Sequence, residues 1–246
     1  MLLDILAGGD IRDILISLLL SLPIIMLALS LHETAHGYVA WKCGDNTAHN
    51  LGRLTLNPLK HLDPVGFICM LVFGFGWAKP VPINTRNFRN PKRGMALSAL
   101  AGPLANGILG AISAALFGLF QAWSIYLAYT VDNVFIVNCV SIATEFFMMS
   151  ALYNFLFMAF NLIPIPPFDG SRIALIFLPP KAYFGIMRYE REIMFGLLIT
   201  LMVLSNFGFS PFSWIAEELT LLIRTPVFNG AWSIFAEMLT AQLLPG

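Results

Sequence analysis

Four stretches of this 246-residue chain contain no charged side chain: residues 14–31, 94–131, 146–168 and 193–216. Roughly 20 apolar residues cross a bilayer as an α-helix, so each stretch is long enough, or nearly so, to span a membrane. Charged residues make up 11% of the chain, whereas a soluble domain carries about 25%. These features predict an all-α polytopic membrane protein that sits in a lipid bilayer.

The basic residues predict how these segments cross the membrane. Eight of the fourteen Lys and Arg residues lie between Lys42 and Arg93, and four lie between Arg172 and Arg191. Because basic loops stay on the cytoplasmic side, we expect both regions to face the cytoplasm. The expected fold is a bundle of four to six transmembrane helices, of which four should cover about 14–41, 94–120, 146–166 and 193–210.

Residues 64–78 are apolar but short, and they contain three glycines. Lys60 and Lys79 flank them, so a full span would move one of these basic residues across the membrane. We therefore expect a short re-entrant or interfacial segment with non-helical backbone, which is tolerated at membrane depth only inside protein or beside a polar cavity. Prolines within residues 79–91 then predict an extended segment followed by a turn.

Composition also disfavours other classes of protein. The residues before the first apolar run include Asp4, Asp10 and Asp13 against Arg12, whereas a signal peptide begins with basic residues, so we expect no cleaved signal. The three cysteines are far apart and lack a CxxC pair, which predicts neither a disulfide framework nor a cysteine zinc site. A net charge of zero argues against a nucleic-acid partner.

Residues 32–36 read His-Glu-Thr-Ala-His and match the H-E-x-x-H pattern. Residues four apart lie on the same face of a helix, so His32 and His36 can bind one metal ion. Glu33 lies about 100° further round the helix, where it can take a proton from a metal-bound water. Each ionisable group costs ~3 kcal/mol within a membrane, a cost that bound Zn²⁺ would offset. The alternative is a polar, hydrogen-bonded helix end at the membrane interface.

A catalytic zinc ion needs a third protein ligand and an open position for water. Asp169 is the strongest candidate, because the prolines within residues 164–167 end the third helix and Gly170 permits a tight turn. Such a break implies a polar cavity at membrane depth. The predicted topology also places Asp169 at the same membrane end as His36. Alternatively, Asp169 caps the short helix that follows it.

Other candidate ligands fit the zinc site less well. His49 and His61 lie among turn residues of the basic loop, where we expect them to be solvated or structural, and Asp63 precedes a proline as a turn acid. Glu145 would lie about 36 Å from Asp169 along an unbroken helix, at 1.5 Å per residue. We therefore expect Glu145 near the opposite membrane face.

Five ordered motifs resemble the site-2 protease family of intramembrane zinc metalloproteases, and most of all its compact bacterial and archaeal branch. They read HETAHGYVAWKCGD, GRLTLNPLKHLDPVG, FGWAKPVPIN, ALAGPLAN and FNLIPIPPFDGSRI. The resemblance implies one transmembrane metalloprotease domain over residues 1–246, with core motifs at 27–180 and C-terminal helices at 190–246. Neither a PDZ-like nor a CBS domain is expected.

The resemblance also implies the roles of individual residues. Glu33 would be the general base and Asn161 would engage the substrate backbone, while residues 66–82 would form a membrane-associated β-like loop that presents an unfolded substrate strand. The zinc ligands would be His32, His36 and Asp169.

The implied activity is that of a zinc metalloendopeptidase. It would hydrolyse peptide bonds within or near transmembrane segments of membrane-protein substrates (regulated intramembrane proteolysis). The protein would be a multi-pass protein of the cell membrane, with its active site toward the cytoplasmic side. Two alternatives stay open, a membrane zinc-binding or transport protein and a catalytically silent scaffold. The sequence does not determine the oligomeric state.

Overall fold

The computed structural model describes residues 10–73, 76–174, 177–179, 182, 185–186, 188–206, 214–223, 225–226, 229–230, 233 and 237. Within this part of the chain the regular structure is helical, with no strand beyond one isolated β-bridge. The helices are α1 (Ile11–Lys42), α2 (Thr47–Asn50), α3 (Pro64–Phe73), α4 (Pro91–Thr130), α5 (Val134–Asn161), α6 (Asp169–Ala174) and α7 (Glu190–Asn206). Residues 214–223 are helical as well.

Helix α1 carries the H-E-x-x-H pattern, and both of its ends are capped. At its start the Asp10 carboxylate accepts a 2.8 Å hydrogen bond from the Arg12 main-chain N–H. At its end the N–H of Asp45 donates to the Ala40 carbonyl and that of Gly44 to the Trp41 carbonyl, which is the Schellman pattern. Gly44 has a φ of 115°, a conformation that favours glycine. The helix therefore ends at Lys42, less than two turns after the second histidine.

Helices α4 and α5 are longer than the predicted spans of about 94–120 and 146–166. Helix α4 extends to Thr130 rather than to about 120. Helix α5 begins at Val134 rather than at about 146, because the Asn133 side chain accepts from the N–H groups of Phe135 and Ile136 and so caps its start. It ends at Asn161 rather than at 166. The prolines that follow disfavour the helical conformation in the residues before them.

The expectation of a β-like loop over residues 66–82 is wrong for residues 66–73, which belong to helix α3. Pro64 opens that helix, and the Asp63 carboxylate accepts from the Gly66 N–H at 2.9 Å. Residues 74–75 lie outside the described part of the chain. The only β-like pairing in the described residues is a single antiparallel bridge between Leu62 and Ala78.

Three described helices are long and apolar enough to cross a membrane: Ile14–Lys42, Pro91–Thr130 and Val134–Asn161. Helix α7, where a fourth span is predicted, has 17 residues, slightly short of the roughly 20 that a bilayer requires. The predicted continuation to residue 210 and the apolar runs beyond it fall largely outside the described residues. Four to six spans therefore remains a prediction.

Several polar side chains of the apolar helices are buried, and several large apolar side chains of the same helices are exposed. Ser30 and Asn106 have no exposed surface, whereas Leu15, Leu19 and Leu104 are each more than half exposed. Polar groups of membrane helices face the protein interior because lipid offers them no hydrogen bonds. The chain is therefore an all-α membrane protein.

The chain divides into two compact units. The first contains residues 1–107 and 157–211, and it holds all the residues of the candidate metal centre. The second contains residues 108–156 and 212–246. Its core is formed by Phe117, Ala151 and Ile223, and the Ser113 and Ser150 hydroxyls are hydrogen-bonded at 2.8 Å.

Candidate metal centre

Three side chains from two helices converge in the first unit. One carboxylate oxygen of Asp169, the first residue of α6, lies 3.1 Å from Nε2 of His32 and 3.0 Å from Nε2 of His36. Both histidines are buried, and their rings stand nearly perpendicular, at 88°. In the part of the chain that the structure describes, these three residues form the one cluster of potential ligands that could hold a metal ion.

The donor set fits zinc. Two imidazole nitrogens and one carboxylate oxygen are the atoms that zinc binds in many catalytic sites, where a fourth position is left for water or substrate. Ligand atoms of a tetrahedral zinc site with bonds of 2.0–2.1 Å lie about 3.3 Å apart. The separations of 3.0 and 3.1 Å between Asp169 and the histidines are close to that value.

Asp169 is held in place by the chain on both sides of it. Helix α5 ends at Asn161, and a Cβ on Gly170 would lie 2.5 Å from the carbonyl oxygen of Ile163. Gly170 has no positive φ, so it is needed for close packing rather than for the tight turn that the sequence suggests. The Ser171 N–H donates to the Phe168 carbonyl. The Asp169 carboxylate is therefore directed at the histidines and not at the N–H groups of α6.

The electrostatics of Asp169 are set by its two neighbours. Burial alone would raise the pKa of Asp169, but hydrogen bonds from His32 and His36, together with their charge, hold that pKa well below its usual range. The carboxylate is therefore ionised at neutral pH, as a metal ligand must be.

The Glu33 side chain contacts the loop that follows α3. One of its carboxylate oxygens, Oε2, accepts a 2.7 Å hydrogen bond from the main-chain N–H of Val81. Val81 is buried, and a Cβ on Gly37 would lie 2.9 Å from its Cγ1 atom. Gly37 thus allows residues 79–84 to pack closely on α1 beside Glu33.

Residues 79–84, here called the Val81 segment, are held by hydrogen bonds along their length. The Arg53 guanidinium donates to the carbonyls of residues 79 and 80, at 2.9 and 3.3 Å. The N–H of Lys79 donates to the His61 carbonyl at 2.8 Å. The buried Asp45 carboxylate accepts from the N–H of Asn84 at 2.6 Å. These contacts hold the Val81 N–H in position to donate to Glu33.

The other residues singled out from the sequence lie outside the three-residue cluster. Asn161 is at the end of α5, where its side chain donates to the Phe157 carbonyl of the same helix at 2.9 Å. His49 stacks on Trp41 with ring centroids 5.0 Å apart. His61 is buried and contacts the Thr55 carbonyl through Nε2 at 2.7 Å. Asp63 caps α3, and Glu145 is exposed on α5.

One face of α4 packs against both histidines. The sequence patterns alone did not identify this face. The Ser98 carbonyl accepts from Nδ1 of His36 at 2.7 Å, and Asn106 contacts Nδ1 of His32 at 2.5 Å. Gly102 lies between them, and a Cβ there would be 2.5 Å from Cε1 of His36 and 2.7 Å from Cε1 of His32. The available signal was the four-residue spacing of positions 98, 102 and 106, which places them on one helix face.

Comparisons with known proteins agree with this geometry. The model of peptidase family M50 matches residues 20–204. The chain is 42% identical over 156 residues to "Putative zinc metalloprotease YwhC" of Bacillus subtilis (strain 168), covering 63% of this chain and 68% of that protein. It is 30% identical over 150 residues to "Putative zinc metalloprotease Rip2" of Mycolicibacterium smegmatis, covering 59% of this chain and 52% of that protein. No solved structure matches the chain.

The family match covers most of the chain and includes His32, His36 and Asp169. The motifs that resemble site-2 proteases and the match over residues 20–204 therefore lead to the same conclusion: the chain belongs to peptidase family M50, the site-2 protease family.

Proposed function

We propose that this chain is an intramembrane zinc metalloendopeptidase of the H-E-x-x-H type. The observation that carries the proposal is the convergence of the His32, His36 and Asp169 ligand atoms, with Glu33 next to the first of them on α1. His32, His36 and Asp169 would hold Zn²⁺, and Glu33 would be the general base. Family membership and the names of both relatives support this choice of metal and reaction.

Bound zinc would supply Lewis-acid activation of a water molecule and of the scissile carbonyl group. Glu33 would take up the proton that this water releases and deliver it to the leaving amine. The Val81 N–H donates to one of the two Glu33 carboxylate oxygens and so fixes the orientation of the side chain, which leaves the other oxygen to exchange the proton. Burial of His32 and His36 restricts water around the reacting bond.

The proposed substrates are membrane-embedded proteins. A peptide bond in a transmembrane helix is hydrogen-bonded and shielded, so the substrate must unwind locally before it is cut. Pairing with the Val81 segment would offset the lost bonds. However, the N–H groups of Lys79 and Val81 already donate within the protein, and residues 80 and 82 are prolines. This part of the segment could therefore offer a substrate strand carbonyl groups but no N–H.

Asn161 is proposed to bind the substrate backbone. Its side chain donates to a carbonyl within α5. Replacing that hydrogen bond by one to the substrate would cost little free energy. Asn161→Ala should then raise KM severalfold and leave bound zinc unchanged. A loss of zinc from this variant would instead show a structural role for Asn161.

The location follows from the basic loops. We place the protein in the cell membrane with the metal centre toward the cytoplasmic side, because eight basic residues lie between Lys42 and Arg93. With the three native cysteines replaced by serine, Lys60→Cys should then react with an impermeant thiol reagent only in inside-out vesicles. Labelling in intact cells would instead show that this loop faces the outside of the cell.

The decisive comparison is between wild type and Glu33→Gln, both purified in detergent. Glu33→Gln should keep its zinc and cleave a single-span reporter about 10²–10⁴-fold more slowly, the usual contribution of a general base. Equal cleavage by both proteins would exclude the proposed mechanism.

The same preparations test the two alternatives. A zinc transporter would carry zinc across proteoliposome membranes at rates that Glu33→Gln leaves unchanged. A catalytically silent scaffold would hold zinc and cleave no reporter even as wild type. Transport is the weaker reading, because permeation paths use several weak sites in series, whereas the described residues contain one compact cluster.

A further inference from the structure

Three residues of α4 contact the two imidazole rings. Ser98, Gly102 and Asn106 are spaced four apart and lie on one face of the helix. Ser98 and Asn106 have almost no exposed surface. Each of them meets the Nδ1 atom of one histidine, while the Nε2 atoms of both histidines face Asp169. Ser98 and Asn106 thus contact the histidines at the nitrogens that do not face Asp169, whereas Gly102 lies nearest to Nε2 and Cε1 of His36.

The contact with Ser98 determines the protonation of His36. The Ser98 group that meets Nδ1 is its main-chain carbonyl, at 2.7 Å, and a carbonyl oxygen can only accept. Nδ1 of His36 must therefore carry the hydrogen. The Ser98 hydroxyl donates in return to the His36 carbonyl at 2.9 Å, which ties the two helices together at this position.

The contact with Asn106 determines the protonation of His32 in two steps. The amide nitrogen of Asn106 lies 3.2 Å from the Ala28 carbonyl, which can only accept, so this end of the amide is the NH₂ group. The amide oxygen then faces Nδ1 of His32, at 2.5 Å. An oxygen acceptor requires a hydrogen on that nitrogen. Nδ1 of His32 therefore also carries the hydrogen.

Gly102 keeps both rings in these orientations. A Cβ at position 102 would overlap ring atoms of His32 and His36, so the absence of a side chain lets α4 approach the ring faces closely. The rings cannot turn without losing their Nδ1 bonds. When either ring is neutral, the hydrogen that it keeps is therefore the one on Nδ1, and Nε2 is the nitrogen left free to bind a metal ion.

We propose that Asn106 is a positioning residue for the metal centre, which fixes His32 as the Nδ1–H tautomer, while the Ser98 carbonyl does the same for His36. This inference rests on the proposed zinc site and adds to it the source of its preorganisation. Partners that orient ligand histidines typically contribute 10–100-fold to metal affinity. Asn106 acts only through His32.

Two substitutions separate positioning from simple structural support. Asn106→Asp keeps an oxygen for Nδ1 of His32 but loses the NH₂ group that donates to Ala28, whereas Asn106→Leu loses both contacts. Zinc affinity should fall about 10–100-fold in Asn106→Leu and stay within about threefold of wild type in Asn106→Asp. Competition with a fluorescent chelator measures both. Asn154→Leu is the matched control, since Asn154 is an equally buried asparagine of the second unit.

An equal loss of affinity in Asn106→Asp and Asn106→Leu would show that Asn106 only bridges to Ala28, and would overturn the proposal. So would zinc affinity in Asn106→Leu within threefold of wild type. ¹⁵N NMR of the metal-free wild type, labelled at its four histidines, tests the tautomers without any variant. A hydrogen on Nε2 of neutral His32 would also overturn the proposal.

The two proposals can fail separately. If wild type binds no zinc, the proposed function fails, and the tautomer measured in the metal-free protein still decides whether Asn106 sets the state of His32. If wild type binds zinc and cleaves its reporter, but the Asn106 variants behave alike, only the positioning role fails.

Discussion

The main-chain N–H of Val81 lies 2.7 Å from Oε2 of Glu33 and donates a hydrogen bond to it. The two residues are 48 positions apart in the chain, so the bond exists only because the Val81 segment packs on α1. A main-chain donor is present whatever side chain occupies position 81, unless that residue is proline. This relationship joins the proposed general base to the loop that follows α3.

The first prediction concerns this hydrogen bond. Val81→Pro removes the N–H and keeps an apolar side chain, so Glu33 should lose its orientation while the zinc ligands stay intact. A hydrogen bond to a charged group contributes about 1.5–3 kcal/mol, which predicts a fall in kcat of roughly 10–100-fold. Reporter cleavage, with kcat and KM resolved, and zinc content measure the effect.

Val81→Ala is the matched control, because it shortens the side chain but keeps the N–H. It should retain kcat within about threefold of wild type, and any loss should follow the loss of packing against Gly37. A Val81→Pro enzyme with wild-type kcat would show that this bond does not orient Glu33 in the reaction.

The second prediction concerns the third ligand. Asp169→Ala removes the oxygen that lies 3.0–3.1 Å from both imidazoles. Loss of partners that only orient ligands costs 10–100-fold in metal affinity, so loss of a ligand should cost at least about 100-fold. Asp63→Ala serves as the control, since Asp63 caps α3 and should leave zinc affinity unchanged. Tight, stoichiometric zinc in Asp169→Ala would mean that another group is the third ligand.

Much of the metal centre could be predicted from the sequence, because local rules govern it. Four-residue spacing places His32 and His36 on one helix face whatever the fold. The prolines before Asp169 must end a helix, so a polar residue there has to lie in a polar site. Asp169 lies 137 positions from His32 in the chain. Its contact with α1 could be expected only because few other acidic residues were suitable as the third metal ligand.

The residues that the sequence did not reveal act through long-range contacts. Asn106 is 74 positions from His32, and Ser98 is 62 from His36. Nothing local in ALAGPLAN indicates that its asparagine faces a histidine. The contact of Val81 with Glu33 is harder still to predict from the sequence, because its donor is a main-chain N–H that every residue except proline possesses.

The predicted helix boundaries were wrong for a simpler reason. The absence of charge defined the predicted spans, so the third helix was started after Glu145. A single exposed glutamate does not interrupt α5, and the better signal was the capping residue Asn133. The capping pair Asp63 and Pro64 likewise indicated helix α3, where glycine content had favoured irregular backbone.

The third prediction concerns the space that Gly102 leaves for the imidazoles. Gly102→Ala would place a Cβ 2.5–2.7 Å from ring atoms of both histidines, and neither ring can move without losing its Nδ1 bond. Zinc affinity should fall at least about 10-fold, as measured by chelator competition. Gly107→Ala is the control on the same helix, because its Cβ would meet only the flexible end of Met158. Equal zinc affinity in both variants would contradict close packing at position 102.

The last prediction concerns Asp45, which anchors the Val81 segment to the end of α1. Its fully buried carboxylate accepts from the N–H of Asn84, the side-chain amide of Asn87, and the N–H and hydroxyl of Thr47. Burial alone would raise the pKa of Asp45, but the hydrogen bonds from Thr47, Asn87 and Asn84 outweigh that effect and lower it.

The pH dependence follows from the direction of this shift. Because the folded-state pKa lies below the unfolded value of about 3.9, the carboxylate stabilises the fold fully above that pH. The stabilisation is lost as the pH falls through the folded-state pKa. Asp45→Asn turns an acceptor oxygen into a donor group and should cost about 2 kcal/mol. At roughly 2–4 °C per kcal/mol, Tm should fall by about 4–8 °C at neutral pH.

Thermal unfolding in detergent, followed by tryptophan fluorescence, tests this expectation. The Tm difference between wild type and Asp45→Asn should be constant between about pH 5 and 7 and should shrink below about pH 4. Asp63→Asn, which keeps a single acceptor at the start of α3, should lower Tm much less. A difference that widens as the pH falls would mean that the folded state raises the pKa of Asp45, and the hydrogen bonds would then not hold the ionised form.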